Sequence, residues 1–206
     1  MGINIFDVMK KNEPDKIQQK NIDIFASGAG SNTQKIIGYF KNSSSVKIVL
    51  VVSNKGDAGV LKIAAKEKIS SLIIERKKFD ESGYGKELEI YNIDLIVLAG
   101  FLWKIPSALI KKYPGRIINI HPALLPKFGG KGMYGDHVHN AVINAKEKQS
   151  GITIHYVDEI YDHGKIIFQE KCNIDKNESV SSLANKIHLL EHLHYPLIIE
   201  SVCKSF

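Results

Sequence analysis

Short apolar runs alternate along the first 120 positions with longer segments whose apolar residues recur every three or four positions. The apolar runs predict strands, and the periodic segments predict helices. Strands that are nearly all apolar and separated by helices indicate a mostly parallel sheet that is covered on both faces. The predicted strands are 22–26, 46–53, 72–75, 94–99 and 116–120, and the predicted helices are 31–40, 59–68, 80–91 and 106–112.

The pattern changes after Pro126, where a glycine-rich loop begins. It is followed by a predicted helix at 137–148, predicted strands at 152–157 and 166–174, and a last helix at 180–201 that Ser179 can cap. The sequence contains no repeat, linker or low-complexity tract. We therefore expect one α/β domain with a mostly parallel central sheet, helices on both faces and an antiparallel C-terminal strand portion. This domain would span residues 21–206, after an N-terminal extension at 1–20.

Composition and charge change this picture only slightly. The 206 residues are 44% hydrophobic and 24% charged, as in ordinary globular domains, and lysine plus arginine exceed aspartate plus glutamate by six. The positive balance favours small anionic ligands, although a solvated lysine-rich surface explains it more simply. The sequence has no basic run with interleaved aromatic residues, so we expect no nucleic-acid partner.

Cysteine usage and hydropathy favour a reducing compartment. Cys172 and Cys203 form no Cys-x-x-Cys pair, so we expect neither a disulfide framework nor a thiolate zinc site. The apolar runs have the length of strands and are too short to cross a bilayer. Residues 1–20 lack the apolar core and cleavage pattern of a secretory signal. We expect a cytoplasmic protein without membrane attachment, either a monomer or a homodimer.

The loop after the first predicted strand is a candidate anion site. Its glycines, Gly28 and Gly30, permit a tight turn, and the free N–H groups at the start of the next helix favour a phosphate. A dinucleotide site would need a third glycine near Thr33 and an acidic residue after the second strand, where the sequence reads Ser53-Asn54-Lys55. We therefore expect a monophosphate rather than NAD. The alternative is a turn that uses glycine for backbone reasons alone.

The fifth predicted strand ends in the segment RIINIHPALLPK, residues 116–127. Because strand residues alternate between faces, Asn119 and His121 point to the same side. An amide N–H can stabilise a developing oxyanion and a histidine can move a proton, which together suit acyl transfer. Asp162, in the acidic turn between the last two strands, is the best candidate to orient the histidine. Alternatively, Asn119 caps a turn, His121 is satisfied locally and Asp162 is an exposed turn residue.

The remaining histidines carry weaker signals. His155 lies on the strand that leads to Asp162 and is either a partner of the site or a half-buried strand residue. His188 and His192 share a helix face at a four-residue step, which can bind a metal. Neither a His-Glu-x-x-His arrangement nor a thiolate supports that interpretation, so we expect no metal. We expect Glu191 to meet a hydroxyl or an amine of a ligand.

Five motifs, in order from about residue 21 to the C-terminus, resemble those of the phosphoribosylglycinamide formyltransferases, folate-dependent enzymes of purine synthesis. The resemblance implies a Rossmann-like formyltransferase fold. It also implies transfer of a formyl group from the co-substrate 10-formyltetrahydrofolate to the glycinamide amine of phosphoribosylglycinamide. The motifs are Gly28-x-Gly30-Ser31-Asn32, Leu98-Ala99-Gly100-Phe101, Asn119-Ile120-His121-Pro122-x-Leu124-Leu125-Pro126, Asp162-x-Gly164 and Glu191-His192-x-x-Tyr195-Pro196.

The resemblance also implies a role for each matched residue. Asn119 and a protonated His121 would stabilise the oxyanion, while Asp162 would raise the pKa of the histidine and help to relay protons. The residues that would hold the ribotide are Gly30, Ser31, Asn32, His188 and Glu191. The residues that would hold the folate are Leu102, Trp103, Lys104, Ile105, Asn119, Asp158, Glu159, Ile160, Tyr161 and Asp162. No metal and no covalent enzyme intermediate are needed.

Two departures from the family pattern concern the folate. Ser82 stands where some relatives carry an arginine, and His163 stands where small residues are common. Three nearby cations could replace that arginine at the glutamate tail of the folate, namely Arg76, Lys77 and Lys78. The loop at 127–139 is longer and richer in glycine than in some relatives, so it could act as a lid.

Three rival interpretations remain at this point. A formyltetrahydrofolate hydrolase would use a similar Asn, His and Asp with water as the acceptor, and a methionyl-tRNA formyltransferase would use an amine bound to tRNA. Both usually carry an additional domain, for which the sequence has no counterpart, and the His121–Pro122 pair favours the ribotide enzyme. A nonenzymatic nucleotide-binding module would leave Asn119, His121 and Asp162 without a joint purpose.

Overall fold

The computed structural model describes residues 19–206, which are built around one seven-stranded sheet. Five strands are parallel, whereas β6 runs antiparallel to both of its neighbours. This sheet confirms the predicted α/β class with its antiparallel C-terminal portion. In spatial order the strands are β3 (Ser70–Ile73), β2 (Val46–Ser53), β1 (Lys20–Phe25), β4 (Leu95–Leu98), β5 (Ile117–His121), β6 (Gln149–Tyr156) and β7 (Ile166–Asn173).

Helices pack on both faces of the sheet, as predicted. Because strand residues alternate, Ile22 and Ile24 of β1 face one helical layer and Phe25 faces the other. The first layer holds α1 (Ser31–Phe40), α2 (Gly59–Lys66), α6 (Asp136–Asn144) and α7 (Val180–Cys203). The second holds α3 (Arg76–Ser82), α4 (Gly85–Glu89) and α5 (Ser107–Lys112). The strand order reverses between β1 and β4, which is where open α/β sheets bind ligands.

The single helix predicted at 80–91 is wrong, because the chain forms two short helices there. Gly83 and Tyr84 separate α3 from α4, with φ angles of 60° and 58° in the left-handed region. A Cβ on Gly83 would lie only 2.8 Å from the Cβ of Leu109, so glycine also lets α5 approach closely. The apolar periodicity of the segment continues across this break and therefore conceals it.

Smaller differences concern the ends of elements. β5 continues one residue beyond its predicted end and includes His121, and β6 begins at Gln149, three residues before its predicted start. The extension predicted at 1–20 lies outside the described residues, apart from its last two positions. Its boundary and the single-domain organisation stay predictions.

Asp23 is a buried carboxyl group in the middle of β1. It is fully buried, and neither of its side-chain oxygens has a hydrogen-bond partner within residues 19–206. Burial raises the pKa of Asp23 well above its usual value, although the N–H of Ile24 acts in the opposite direction. Burial is the main cause that raises the pKa of Tyr113 to about 12, and the carboxylates of Asp23 and Glu89 add to it. The folded state therefore favours the neutral form of Asp23.

We expect Asp23→Val to raise the free energy of unfolding by roughly 1–3 kcal/mol at pH 8, because it removes an unpaired polar group from the core. A raised folded-state pKa means that the stability tied to the neutral carboxyl is complete below the unfolded-state pKa. It is lost as the pH rises toward the folded-state pKa, so the gain should shrink at pH 5. Urea denaturation at both pH values measures this gain. The control, Ile24→Val, should lower the free energy of unfolding equally at both pH values. If the gain for Asp23→Val were the same at pH 5 and pH 8, the raised pKa of Asp23 would be wrong.

Candidate active site

The carboxyl ends of β1, β4 and β5 open into a cavity of about 640 Å³. This is the edge of the sheet at which the sequence places the phosphate loop and the Asn119–His121 pair. The walls come from the loop after β1, the segment after β4, the end of β5, the glycine-rich loop at 130–135, the acidic turn between β6 and β7, and one face of α7. The volume suits small molecules.

The three residues predicted as catalytic meet on one wall of this cavity. Asn119 Nδ2 lies 3.5 Å from Asp162 Oδ1, and His121 Nδ1 lies 3.6 Å from Asp162 Oδ2. Asn119 and His121 both line the cavity, as the alternation of strand residues predicts. Asp162 comes from the turn after β6, where its backbone adopts the left-handed region with a φ of 54°. The carboxylate therefore faces the amide and the imidazole together.

His155 is a partner of this group rather than an isolated strand residue. It lies directly opposite Asn119 in the antiparallel pair of β5 and β6. Its Nδ1 lies 2.8 Å from the carbonyl oxygen of Tyr156, which can only accept, so Nδ1 carries the proton. Its Nε2 then accepts from Asn119 Nδ2 at 3.2 Å and lies 3.6 Å from Asp162 Oδ1. One N–H of the Asn119 amide is thus held by His155.

Glycines hold Asp162 in place from two sides. The N–H of Gly130 donates to Asp162 Oδ2 at 2.8 Å. Gly164, two residues after Asp162, packs so closely on β6 that a Cβ there would lie 1.8 Å from the carbonyl oxygen of Tyr156. The Asp-x-Gly motif therefore has a direct structural reason, since only glycine lets the turn approach the strand.

Burial and neighbouring groups set the protonation of His121 and Asp162. Burial lowers the pKa of His121 and outweighs Asp162, which acts to raise it. Burial alone would raise the pKa of Asp162, but the charged forms of His155 and His121, which would face the carboxylate as it titrates, and the Gly130 N–H together lower it. Asp162 acts to raise the pKa of His121, as we expected. The net pKa of His121 is nevertheless lowered, whereas we expected a protonated histidine. An ionised Asp162 faces a His121 that favours its neutral form.

The tautomer of His121 follows from its second ring nitrogen. His121 Nε2 lies 2.8 Å from the carbonyl oxygen of Phe128, so it donates its proton there. In the neutral ring the lone pair is then on Nδ1, the atom that faces Asp162. This nitrogen can accept a proton, and the carboxylate beside it stabilises the imidazolium that results.

One wall of the cavity begins with the anion loop after β1. Gly30, with a φ of 84°, ends this loop, and a Cβ there would lie 2.9 Å from Val60. The helix α1 starts at Ser31 and offers the free N–H groups of its first turn. The Asn32 side chain does not point freely into the cavity, because its Nδ2 donates to Glu191 Oε2 at 2.9 Å. The backbone N–H groups and the hydroxyl of Ser31, which lines the cavity, are therefore the available anion donors in this loop.

Glu191 joins α7 to the anion loop. Its carboxylate is buried, and it accepts from Asn32 and lies 3.0 Å from His188 Nδ1. The hydrogen bond that His188 donates to Glu191 raises the pKa of His188, despite partial burial. Residues 30, 31, 32, 188 and 191, which the resemblance assigns to the ribotide, all line the cavity beside one another.

The opposite wall is apolar and aromatic. Of the ten residues assigned to the folate, nine line the cavity; Glu159 is the exception and is exposed. Trp103 packs against Phe101 and Phe79, whose rings also contact Phe25 and anchor the wall in the core. The result is a slot with flat apolar sides that opens toward the catalytic residues.

Of the three cations predicted near the folate tail, Arg76 contacts a residue of this slot. Its guanidinium lies over the Trp103 ring, 5.0 Å from the centroid, and its Nε is 2.7 Å from Asp80. Lys78 instead pairs with Glu87, away from the cavity. Arg76 therefore places a positive charge beside the slot, which Lys104 also lines.

Tyr195 and Thr153 hold backbone segments next to the site through hydrogen bonds, and the sequence assigned neither of them a role. The hydroxyl of Tyr195, on α7, donates to the carbonyl of Leu98 at 2.9 Å, at the end of β4. Thr153 Oγ1 donates to Ala123 O at 2.6 Å and accepts from Leu125 N at 3.0 Å, which fixes the chain after His121. Tyr195 belonged to a quoted motif, whereas nothing in the local sequence distinguishes Thr153.

Metal binding and membrane insertion can both be assessed over residues 19–206. No three or more His, Cys, Asp or Glu side chains in this part of the chain are arranged to hold a metal ion. His188 and His192 stack with ring centroids 6.1 Å apart. None of the helices in the described region is long and apolar enough to cross a membrane.

Comparisons with known proteins identify the family of the chain. Residues 20–199 match the sequence family described as Formyl transferase. A protein of Arabidopsis thaliana named phosphoribosylglycinamide formyltransferase, chloroplastic, is 38% identical over 195 residues, which are 91% of this chain and 67% of the relative. The Bacillus subtilis phosphoribosylglycinamide formyltransferase is 36% identical over 189 residues, 89% of this chain and 94% of the relative.

Solved structures show the same likeness. The crystal structure of phosphoribosylglycinamide formyltransferase from Bacillus halodurans superimposes with a TM-score of 0.80 at 34% identity, and the match covers 90% of this chain and 94% of that one. The chain spans about two thirds of the length of the plant relatives that it matches.

Proposed function

The chain belongs to the formyl transferase family, and we propose on that basis that it formylates phosphoribosylglycinamide. The formyl group of 10-formyltetrahydrofolate passes to the glycinamide amine of N1-(5-phospho-D-ribosyl)glycinamide. The products are formylglycinamide ribonucleotide and tetrahydrofolate, in the de novo synthesis of the purine nucleotide IMP. The family match confirms the resemblance identified in the sequence.

The meeting of Asn119, His121 and Asp162 between two unlike walls supports this proposal most strongly. One wall offers backbone N–H groups at the start of α1 for a phosphate. The other offers a flat apolar slot for a heterocycle. A phosphorylated amine and a folate on opposite sides of the cavity would bring their reacting atoms together at the three polar side chains.

In the first step, the amine nitrogen attacks the formyl carbon, and the carbonyl electrons move to its oxygen. His121 Nδ1 takes the proton that the amine loses, which converts the neutral ring to an imidazolium. Asp162 Oδ2, 3.6 Å away, stabilises that imidazolium. The second N–H of Asn119, whose contact with Asp162 Oδ1 is long at 3.5 Å, is the donor available to the oxyanion. His121 thus becomes protonated during the reaction instead of before it.

In the second step, the oxyanion collapses and the bond from the formyl carbon to N10 of the folate breaks. The imidazolium of His121 returns its proton to the departing nitrogen, so the enzyme ends in its initial state. Asp162 keeps one protonation state throughout, since its lowered pKa holds the carboxylate ionised. His155 and the Gly130 N–H keep the amide and the carboxylate aligned between the steps.

The two substrates would be held by the residues that the resemblance assigned. The phosphate of the ribotide binds the N–H groups at Gly30, Ser31 and Asn32. The hydroxyl groups of its ribose contact Glu191 and His188. The folate ring lies against Leu102, Trp103, Lys104 and Ile105, with Asp158, Ile160 and Tyr161 closing the slot. These contacts need no metal.

The glutamate tail of the folate leaves the slot beside Arg76. We expect Arg76→Gln to raise the KM for the folate donor by about three- to tenfold, because a partly exposed ion pair contributes roughly 1 kcal/mol. The kcat should change little. Steady-state kinetics with donors that carry or lack the glutamate checks this. With a donor that lacks the glutamate, the KM of Arg76→Gln should equal that of the natural chain. Lys47→Gln, on β2, is the control, and an unchanged KM in Arg76→Gln would remove Arg76 from the tail site.

Turnover assays with each substrate omitted test the function itself. We expect tetrahydrofolate to form only when the ribotide and the formyl donor are both present. Formate release without the ribotide would instead identify a formyltetrahydrofolate hydrolase. Location in the cytoplasm stays a prediction, since the plant relatives are named as chloroplastic.

A further inference from the structure

His188 and Glu191 form a pair on α7 in which one proton has a defined position. His188 Nδ1 donates to Glu191 Oε2 at 3.0 Å, because a carboxylate oxygen can only accept. Nδ1 therefore keeps its proton in both charge states of the ring, and Nε2 is the nitrogen that gains or loses one. The His188 side chain is 52% exposed and lines the cavity, so its charge can act on a ligand there.

The same carboxylate oxygen links His188 to the anion loop. Glu191 Oε2 also accepts from Asn32 Nδ2 at 2.9 Å, in the first turn of α1. Since both nitrogens contact one oxygen, His188 Nδ1 and Asn32 Nδ2 lie within about 6 Å of each other. A phosphate bound at the free N–H groups of this turn would therefore lie close to the His188 ring.

The anion loop itself offers a phosphate no charged side chain. Residues 28–33 read Gly-Ala-Gly-Ser-Asn-Thr, without lysine or arginine. A phosphate monoester carries about 1.5 to 2 negative charges at pH 7, and a helix start supplies only about half a positive charge. Two lysines line the cavity, but Lys104 belongs to the folate wall and Lys131 to the glycine-rich loop. His188 is the basic side chain that shared hydrogen bonds connect to the anion loop.

The titratable groups around His188 favour a positive charge on this ring. The hydrogen bond to Glu191 raises the pKa of His188 above its usual 6.5, partial burial opposes the rise, and the charge of Asp136 on α6 adds to it. His139 of α6 and His192 of α7 have lowered pKa values, mainly because of burial and further because of the charge of His188. Within this group of side chains, His188 therefore carries the positive charge.

We propose that the ribotide binds preferentially to the imidazolium form of His188, so that the substrate and one proton bind together. This inference rests on the proposed function, because it assigns the charge state that the site needs for its phosphorylated substrate. The imidazolium adds an N–H donor at Nε2 and a positive charge near the phosphate, and the neutral ring offers neither.

The direction of the pH dependence follows from linkage. A bound phosphate raises the pKa of His188 above its value in the free protein. The affinity for the ribotide is therefore highest below the pKa of His188 in the free protein. It falls as the pH rises through that value and becomes constant again above the pKa of the complex.

The KM for the ribotide, measured between pH 6.5 and pH 9, tests this coupling. We expect the KM of the natural chain to rise by about tenfold more than that of His188→Gln, the effect of losing one charge-assisted contact. Glutamine keeps an amide N–H donor but does not titrate, so the KM of the variant should already be high at pH 6.5. The phosphate and the amine of the ribotide titrate equally in both proteins, and the difference between the profiles belongs to His188.

The same substitution at a neighbouring histidine is the control for this test. His194→Gln, at a half-buried position on α7 that does not line the cavity, should keep the pH profile of the natural chain. If the ratio of the KM values of His188→Gln and the natural chain were the same at pH 6.5 and pH 9, the proposal would be overturned.

Proton NMR separates failure of this inference from failure of the proposed function. The carbon-bound Hε1 signal of His188, assigned by its loss in His188→Gln, reports the pKa of His188 without turnover. We expect saturating phosphoribosylglycinamide to raise that pKa by about one pH unit, which corresponds to tenfold in affinity. If the ribotide shifted the His121 signal but left the pKa of His188 unchanged, the coupling would be wrong and the function would stand. If the ribotide changed no signal, the proposed function would fail together with the coupling.

Discussion

His121→Ala is expected to lower kcat by about two to four orders of magnitude, the range for loss of a general acid–base group. His121 is the group that takes the amine proton and returns it to the folate nitrogen, so the loss falls on the chemical step. The KM values for both substrates should change much less, because the anion loop and the apolar slot remain intact. Steady-state kinetics under saturating substrates measures the effect.

The pH dependence of kcat in the natural enzyme separates this role from a purely structural one. A lowered His121 pKa means that the neutral base is present at neutral pH and is lost as the pH falls through that pKa. We therefore expect a rate that is flat near neutral pH and declines on the acid side, with no such limb in His121→Ala. His194→Ala, at a half-buried position on α7 that does not line the cavity, is the control and should keep the natural profile. A rate that declined with rising pH would restore the protonated histidine as the reactive form.

Asp162→Asn is expected to lower kcat by a similar two to four orders of magnitude, since it removes the charge that stabilises the imidazolium. The substitution is nearly isosteric, and the new amide oxygen can still accept from the Gly130 N–H, so the turn should keep its shape. Without the carboxylate, the pKa of His121 should fall further, which moves the acid limb of the residual activity to lower pH. Kinetics as a function of pH measures both effects.

The same substitution at an exposed aspartate controls for the change in net charge. Asp175→Asn removes an exposed carboxylate of the same type far from the cavity, and its kcat should stay near that of the natural enzyme. If Asp162→Asn retained nearly full turnover, or if its acid limb moved to higher pH, the assigned pairing of Asp162 with His121 would be wrong.

The sequence was sufficient to place Asn119 and His121 because their geometry is local. Two residues apart on a strand, they must share a face, and the parallel sheet sets that face at the ligand edge. Asp162 could be proposed only from its position in an acidic turn. Its contact with His121 depends on the antiparallel pairing of β5 with β6 and on the tight turn at Gly164, which no short pattern encodes.

Other features required the folded structure. The partnership of His155 with Asn119 depends on strand register, and the lowered pKa of His121 depends on the burial of its ring in the folded chain. The break at Gly83 was hidden because the apolar positions keep their helical spacing on both sides of it. The side-chain amide of Asn32 is engaged in a hydrogen bond to Glu191, which lies 159 residues away in the sequence.

The most direct test of the proposed function follows the fate of the formyl carbon. The purified protein is incubated with phosphoribosylglycinamide and a 10-formyltetrahydrofolate that carries an isotopic label in its formyl group, and the products are analysed by mass spectrometry. We predict that the label appears in formylglycinamide ribonucleotide, at a rate that His121→Ala reduces by about two to four orders of magnitude. Label that appears only in formate, or that stays in the folate, would contradict formyl transfer to the ribotide.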